Sequence, residues 1–102
     1  MRVLADLSVI PLGVGVSLSE YVAACERVLR QSGLDPKLHA FGTEVEGDWD
    51  TVMTALRRCH DVVHEMGAPR VSTTVKLSTR VDREQTLADK VKSVRGKSWD
   101  GA

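Results

Sequence analysis

Aromatic side chains are scarce in this sequence: 102 residues include two Trp, one Tyr and one Phe. A binder of single-stranded nucleic acid stacks bases on aromatic faces, and so few rings leave little to build such a platform from. There is no excess of charge of either sign. Fourteen basic and fourteen acidic residues give a formal net charge of zero, which argues against a general nucleic-acid or anionic-membrane binder. Long apolar runs are missing too, and nothing approaches the ~20 residues of a membrane span. The segment Met1-Arg2-Val3-Leu4-Ala5-Asp6 meets a carboxylate too early for the apolar region of a signal peptide. Cysteine occurs twice, at Cys25 and Cys59. Both fall on the apolar faces of predicted helices, which suits reduced, buried thiols in a cytoplasmic protein. The length allows one domain. A domain of this size buries roughly 60–70% of its unfolded surface and needs no metal or disulfide to hold one core.

What the chain does contain is a pattern that occurs twice. Val3 to Leu12 reads as a strand with apolar residues on both faces, as a central strand requires, and Pro11 is expected to end it. After the loop Leu12-Gly13-Val14-Gly15-Val16, Ser17 and Glu20 have the spacing of a capping box. Leu18, Val22, Cys25 and Leu29 then form the stripe of an amphipathic helix that Gly33 and Pro36 stop. Lys37 to Phe41 and Thr43 to Gly47 read as a hairpin of short strands. Asp48 and Asp50 supply the acceptors that favour a helix start. In the second helix, from about Trp49 to Met66, Val52, Leu56, Cys59 and Val63 repeat the first stripe. Gly13, Cys25 and Gly33 recur 34 residues later as Gly47, Cys59 and Gly67. Val71 to Arg80 makes a fourth strand, with Leu77 on its core face. Asp82 and Gln85 resemble a second capping box before a short third helix carrying Leu87, Val91 and Val94, which Gly96 should end. Two βαβ halves in one small chain predict an α+β, ferredoxin-like βαββαβ antiparallel sheet with helices on one face plus a C-terminal helix. The expected domain is 1–96, with a flexible tail at 97–102.

Such a sheet has one open face, carrying Leu4, Asp6, Ser8, Ile10, Glu44, Glu46, Thr74 and Lys76. Apolar and polar residues mixed in this way call for a cover, which the third helix, a second subunit or a ligand could supply. Glu44 and Glu46 point the same way. An exposed acidic strand and a cation-binding pair are both open readings of them. His60-Asp61-Val62-Val63-His64 has the spacing of a two-histidine zinc motif. It lacks a recognisable third ligand, and surface histidines with no metal are expected. Cys25 and Cys59 are expected to be core residues rather than a disulfide. The loop after the first strand has no C-x-x-C metal carrier. Acidic residues on the central strands would repel phosphate, which counts against an RNA-recognition module of the same topology.

Four segments occur in an order that carries a further implication. They are Ser8-Val9-Ile10-Pro11-Leu12-Gly13, Gly42-Thr43-Glu44-Val45-Glu46-Gly47, Lys76-Leu77 with Arg80 and Asp82, and Thr86-Leu87-Ala88-Asp89-Lys90-Val91 with Val94. Together they resemble the small thiamine-binding protein family over nearly the whole chain. The resemblance implies a ferredoxin-like fold, a homodimer or dimer of dimers built by sheet association, and non-catalytic binding of thiamine or a related aminopyrimidine. It carries over Ser8, Thr43 and Glu46 as ligand-binding positions, and Glu44 joins them because it alternates with Glu46 on the strand. The family often has Pro-Met-Gly-Thr at the hairpin, where this chain has Ala40-Phe41-Gly42-Thr43. No catalytic residue, metal or cofactor is expected, and the expected partners are other copies of the chain, with neither nucleic acid nor membrane. The alternative is a structural or interaction protein whose open sheet face serves only oligomerisation. An enzyme would need a nucleophile or an acid–base pair, and the sequence offers no convincing one.

Overall fold

In the computed structural model, which describes residues 1–98, the elements follow the order β1 (Arg2–Leu12), α1 (Ser19–Gln31), β2 (Lys37–His39), β3 (Gly42–Asp48), α2 (Trp49–Glu65), β4 (Arg70–Thr79) and α3 (Leu87–Ser98). The sheet is antiparallel with strand order β2-β3-β1-β4, the ferredoxin-like arrangement. β1 is central, as its two apolar faces required. Its odd-numbered residues Val3, Ala5 and Leu7 are buried with Val45 of β3 against Leu29, Val52, Cys59 and Val63 of the two helices. Among the described residues, no helix is long and apolar enough to cross a membrane.

Both long helices end in the same way, which gives the 34-residue repeat a physical form. Gly33 and Gly67 take positive φ of 82° and 109°. The amide of Leu34 reaches back to the Leu29 carbonyl and that of Ala68 to Val63, at 3.2 and 3.3 Å. These are the six-to-one bonds of a Schellman motif, in which glycine avoids the strain a Cβ would bring. Leu34 and Ala68, next in the chain, are both buried.

Several local expectations need correction. Ser17 does not cap α1. Leu18 occupies the cap position without a side-chain bond, its carbonyl accepting from Val22 N–H at 3.0 Å, and its half-buried side chain anchors this end of the helix. Asp82 is not the cap of α3, because Arg80 holds it through two bonds of 2.6 and 2.7 Å and draws its carboxyl down to about 2. The reciprocal cap belongs to Thr86 and Asp89: the Thr86 hydroxyl accepts from Asp89 N–H, and the Asp89 carboxylate from Thr86 N–H, both at 3.0 Å. Gly96 does not stop α3, since it lacks the positive φ that closes α1 and α2, and the helix runs on to Ser98. Lys97 and Ser98 therefore belong to this helix rather than to a tail, and 99–102 lie outside the described residues. Finally, Leu77 is not in the core. It is 39% exposed near the far end of β4, an edge strand with no neighbour beyond it.

Pro11 does not end β1. It pairs with Val71 inside a ladder that continues to Leu12. Proline is tolerated there because β3 has already stopped: β1 pairs with β3 only from Arg2 to Leu7, but with β4 from Val3 to Leu12. From Ser8 to Leu12 one edge of β1 is open.

Candidate functional site

The open edge of β1 borders a cavity of about 440 Å³. Its walls are β1 from Leu7 to Ile10, the inner side of α1, and the β2–β3 hairpin from Leu38 to Thr43. Leu18, Val22, Leu29 and Leu38 make most of the lining apolar. Alternate residues along an unpaired strand edge direct backbone N–H and C=O groups outward, so one wall offers hydrogen-bonding groups that no strand has taken.

One carboxylate is buried in this lining. Glu26 on α1 is 8% exposed, and the 6%-exposed Thr43 donates its hydroxyl to Glu26 Oε2 at 3.0 Å. Among the described residues no other side chain binds this carboxylate, and no buried side-chain oxygen lacks a partner. The second oxygen is therefore accessible, and Glu26 lines the cavity. A carboxylate with one oxygen fixed and the other free, in the wall of a largely apolar cavity, can accept hydrogen bonds from a cationic or amino-bearing ligand. The hairpin is fixed from outside by His39, whose Nε2 lies 2.7 Å from Asp6 Oδ1. Gly42 is required at the seam, where an added Cβ would come within 2.6 Å of the Leu7 carbonyl oxygen.

The four residues expected at a ligand site do not converge. Thr43 faces the helices and Ser8 borders the same cavity. Glu44 and Glu46 lie on the opposite face of the sheet. There Glu46 Oε2 is 3.2 Å from Arg2 Nη2 and accepts from Leu87 N–H at 3.1 Å, tethering the start of α3. Glu44 lines a depression between β3 and α3 together with Lys37 and Val91. Leu4 is buried on this face. Glu26 was not anticipated, although its spacing gave a signal: it lies four residues after Val22 and eight after Leu18, on the stripe that faces the core.

The other motifs have local partners. His60 Nε2 sits 2.6 Å from Thr73 Oγ1, and His64 Nδ1 donates to the Ala68 carbonyl at 2.8 Å. Among the described residues, no three metal-ligating side chains gather at one point. Cys25 and Cys59 are free, buried and both in the cavity wall. The contact between the two thiols, reinforced by burial, pushes Cys59 well above the ordinary thiol range.

A ferredoxin-like sheet whose short hairpin leaves a largely apolar cavity with one buried carboxylate defines a small α+β domain with a cavity of small-molecule size. The chain belongs to the thiamine-binding protein family, whose description it matches over residues 5–95. It is 54% identical over 94 residues to a UPF0045 protein of Synechocystis sp., covering 92% of this chain and 78% of the relative. The crystal structure of a hypothetical protein from Methanocaldococcus jannaschii superposes with a TM-score of 0.85 at 35% identity, covering 91% of this chain and 95% of that one. A Thermotoga maritima structure described as a candidate thiamine biosynthesis or salvage protein has the same fold. Its TM-score is 0.79 at 18% identity, over 93% of this chain and all of that one.

Proposed function

We propose that this protein binds thiamine or a related aminopyrimidine, without catalysis, in the cavity between α1, the open edge of β1 and the β2–β3 hairpin. The observation that carries this reading is Glu26, buried, held by Thr43, and in the wall of a largely apolar cavity. An exocyclic amino group donates to that carboxylate, and the flat ring lies against Val22, Leu29 and Leu38. Thr43 acts through Glu26 by fixing its orientation, and Ser8 offers a hydroxyl at the strand edge. Glu44 and Glu46 take no part within one subunit. Membership of the thiamine-binding family supports the ligand class.

Calorimetric titration of thiamine, paired with a thermal melt, tests the reading. A ligand at a hundred times its Kd stabilises the folded state by about 2.7 kcal/mol. For a domain near 100 residues that raises Tm by roughly 10–20 °C. No heat and no shift at millimolar thiamine would remove thiamine as the ligand.

The protein works in the cytoplasm as a homodimer or dimer of dimers. Leu12 at the end of β1, Val81 in the loop after β4 and Val91 on α3 are exposed, and leaving such area in water costs ~25 cal/mol per Å². Light scattering at micromolar concentration should give a multiple of the 11.2 kDa chain mass. A monomer mass would leave each cavity to function within a single subunit.

A further inference from the structure

Phe41, at the tip of the β2–β3 hairpin, is a lining residue of the cavity and yet is 88% exposed. A phenyl ring left in water at the mouth of an apolar cavity lacks the burial that usually places such a ring. Its backbone, by contrast, is held. Phe41 N–H donates to His39 Nδ1 at 3.3 Å, and the other nitrogen of the same imidazole lies 2.7 Å from Asp6 Oδ1. An amide can only donate, so Nδ1 accepts and the ring proton sits on Nε2, directed at Asp6. Asp6 on β1 thus fixes His39, and His39 fixes the backbone from which the Phe41 ring projects.

The cavity then has two differently equipped ends: the buried Glu26–Thr43 pair inside, and a free aromatic face at the mouth. We infer that Phe41 is a cation–π subsite for a positively charged ring, so that the site selects a two-ring ligand bearing such a charge over a neutral aminopyrimidine. The inference rests on the cavity proposed above as the binding site. With the amino-bearing ring against Glu26, a second ring linked to it extends towards the hairpin. A permanent cation there gains from the negative face of the phenyl group. His39 is a positioning residue in this scheme, acting through the backbone of Phe41.

The test is calorimetric titration of thiamine, and separately of its neutral pyrimidine fragment, into the wild type, Phe41→Leu and Phe41→Tyr. Leucine keeps an apolar cover and removes the ring's electrostatic face. It should weaken thiamine about two- to five-fold and leave the neutral fragment unchanged, while tyrosine restores thiamine binding. Equal losses for both ligands in Phe41→Leu would overturn the inference, reducing Phe41 to an apolar cover. So would no loss for either, and both results leave the cavity itself standing. Wild type that binds neither compound removes the binding site, and the subsite with it.

Discussion

Replacing Glu26 by glutamine is expected to weaken thiamine binding by about 1.5–3 kcal/mol, the usual contribution of a hydrogen bond to a charged group, which is roughly ten- to 150-fold in Kd. The substitution is nearly isosteric. The glutamine carbonyl can still accept from the Thr43 hydroxyl, now 3.0 Å from Glu26 Oε2, so the hairpin should stay docked on α1. The melting temperature of the free protein should not fall appreciably, because a buried charge seldom adds stability that a neutral side chain of the same shape cannot match. Binding loss without stability loss is therefore the signature to look for, read from calorimetry and a melt of the same sample. Glu44→Gln and Glu46→Gln are the controls, placed on the other face of the sheet. If they weaken thiamine and Glu26→Gln does not, the ligand lies against the α3 side and the cavity assignment is wrong.

The largest effect on stability expected from adding a single methyl group is at Gly42. A Cβ there would stand 2.6 Å from the carbonyl oxygen of Leu7, and that oxygen belongs to the central strand, which cannot yield as a flexible side chain would. Gly42→Ala must therefore push the hairpin away from β1. Overpacking of this kind costs about 1–3 kcal/mol, or a fall in Tm of roughly 5–20 °C for a domain of this size. Thr43 is the next residue, so the shift should also loosen the hold on Glu26 and weaken ligand binding. A melt within about a degree of wild type would mean that the seam between β1 and β3 is softer than the close approach implies.

The fold was legible because its strongest signals are local and occur twice. The stripe Leu18, Val22, Cys25, Leu29 and its copy Val52, Leu56, Cys59, Val63 mark two helices on one face of a sheet, and Gly33 and Gly67 mark their ends. Gly96 looked the same in sequence, but a glycine closes a helix only if the following chain turns back on it, as it does through the buried Leu34 and Ala68. The site was less legible. Thr43 and Glu44 are adjacent in a strand, so they point to opposite faces and cannot both meet one ligand within a subunit. The residue that does meet Thr43 is 17 positions away on another element. Glu26 reads as an ordinary helix carboxylate until α1 is laid against the hairpin. A carboxylate in the apolar stripe of a helix is costly to bury without a partner, and Thr43, which supplies that partner, is distant in sequence.

The hairpin is short, and that decides which flank of β1 stays open. The two halves of the chain are near copies as far as helix, cysteine and glycine stop, yet β2 has three residues and β4 has ten. On the second half's side β4 runs alongside β1 to Leu12 and seals that flank. On the first half's side the turn at Ala40 and Phe41 comes early, and β1 is left uncovered from Ser8 onward. A duplicated unit with matching arms would have closed both flanks and enclosed nothing. The mismatch in arm length makes the two flanks of β1 unlike, with the cavity at Glu26 opening beside the turn. An assembly of identical copies would then carry one such cavity in each subunit, and the proposed binding would saturate at one thiamine per chain.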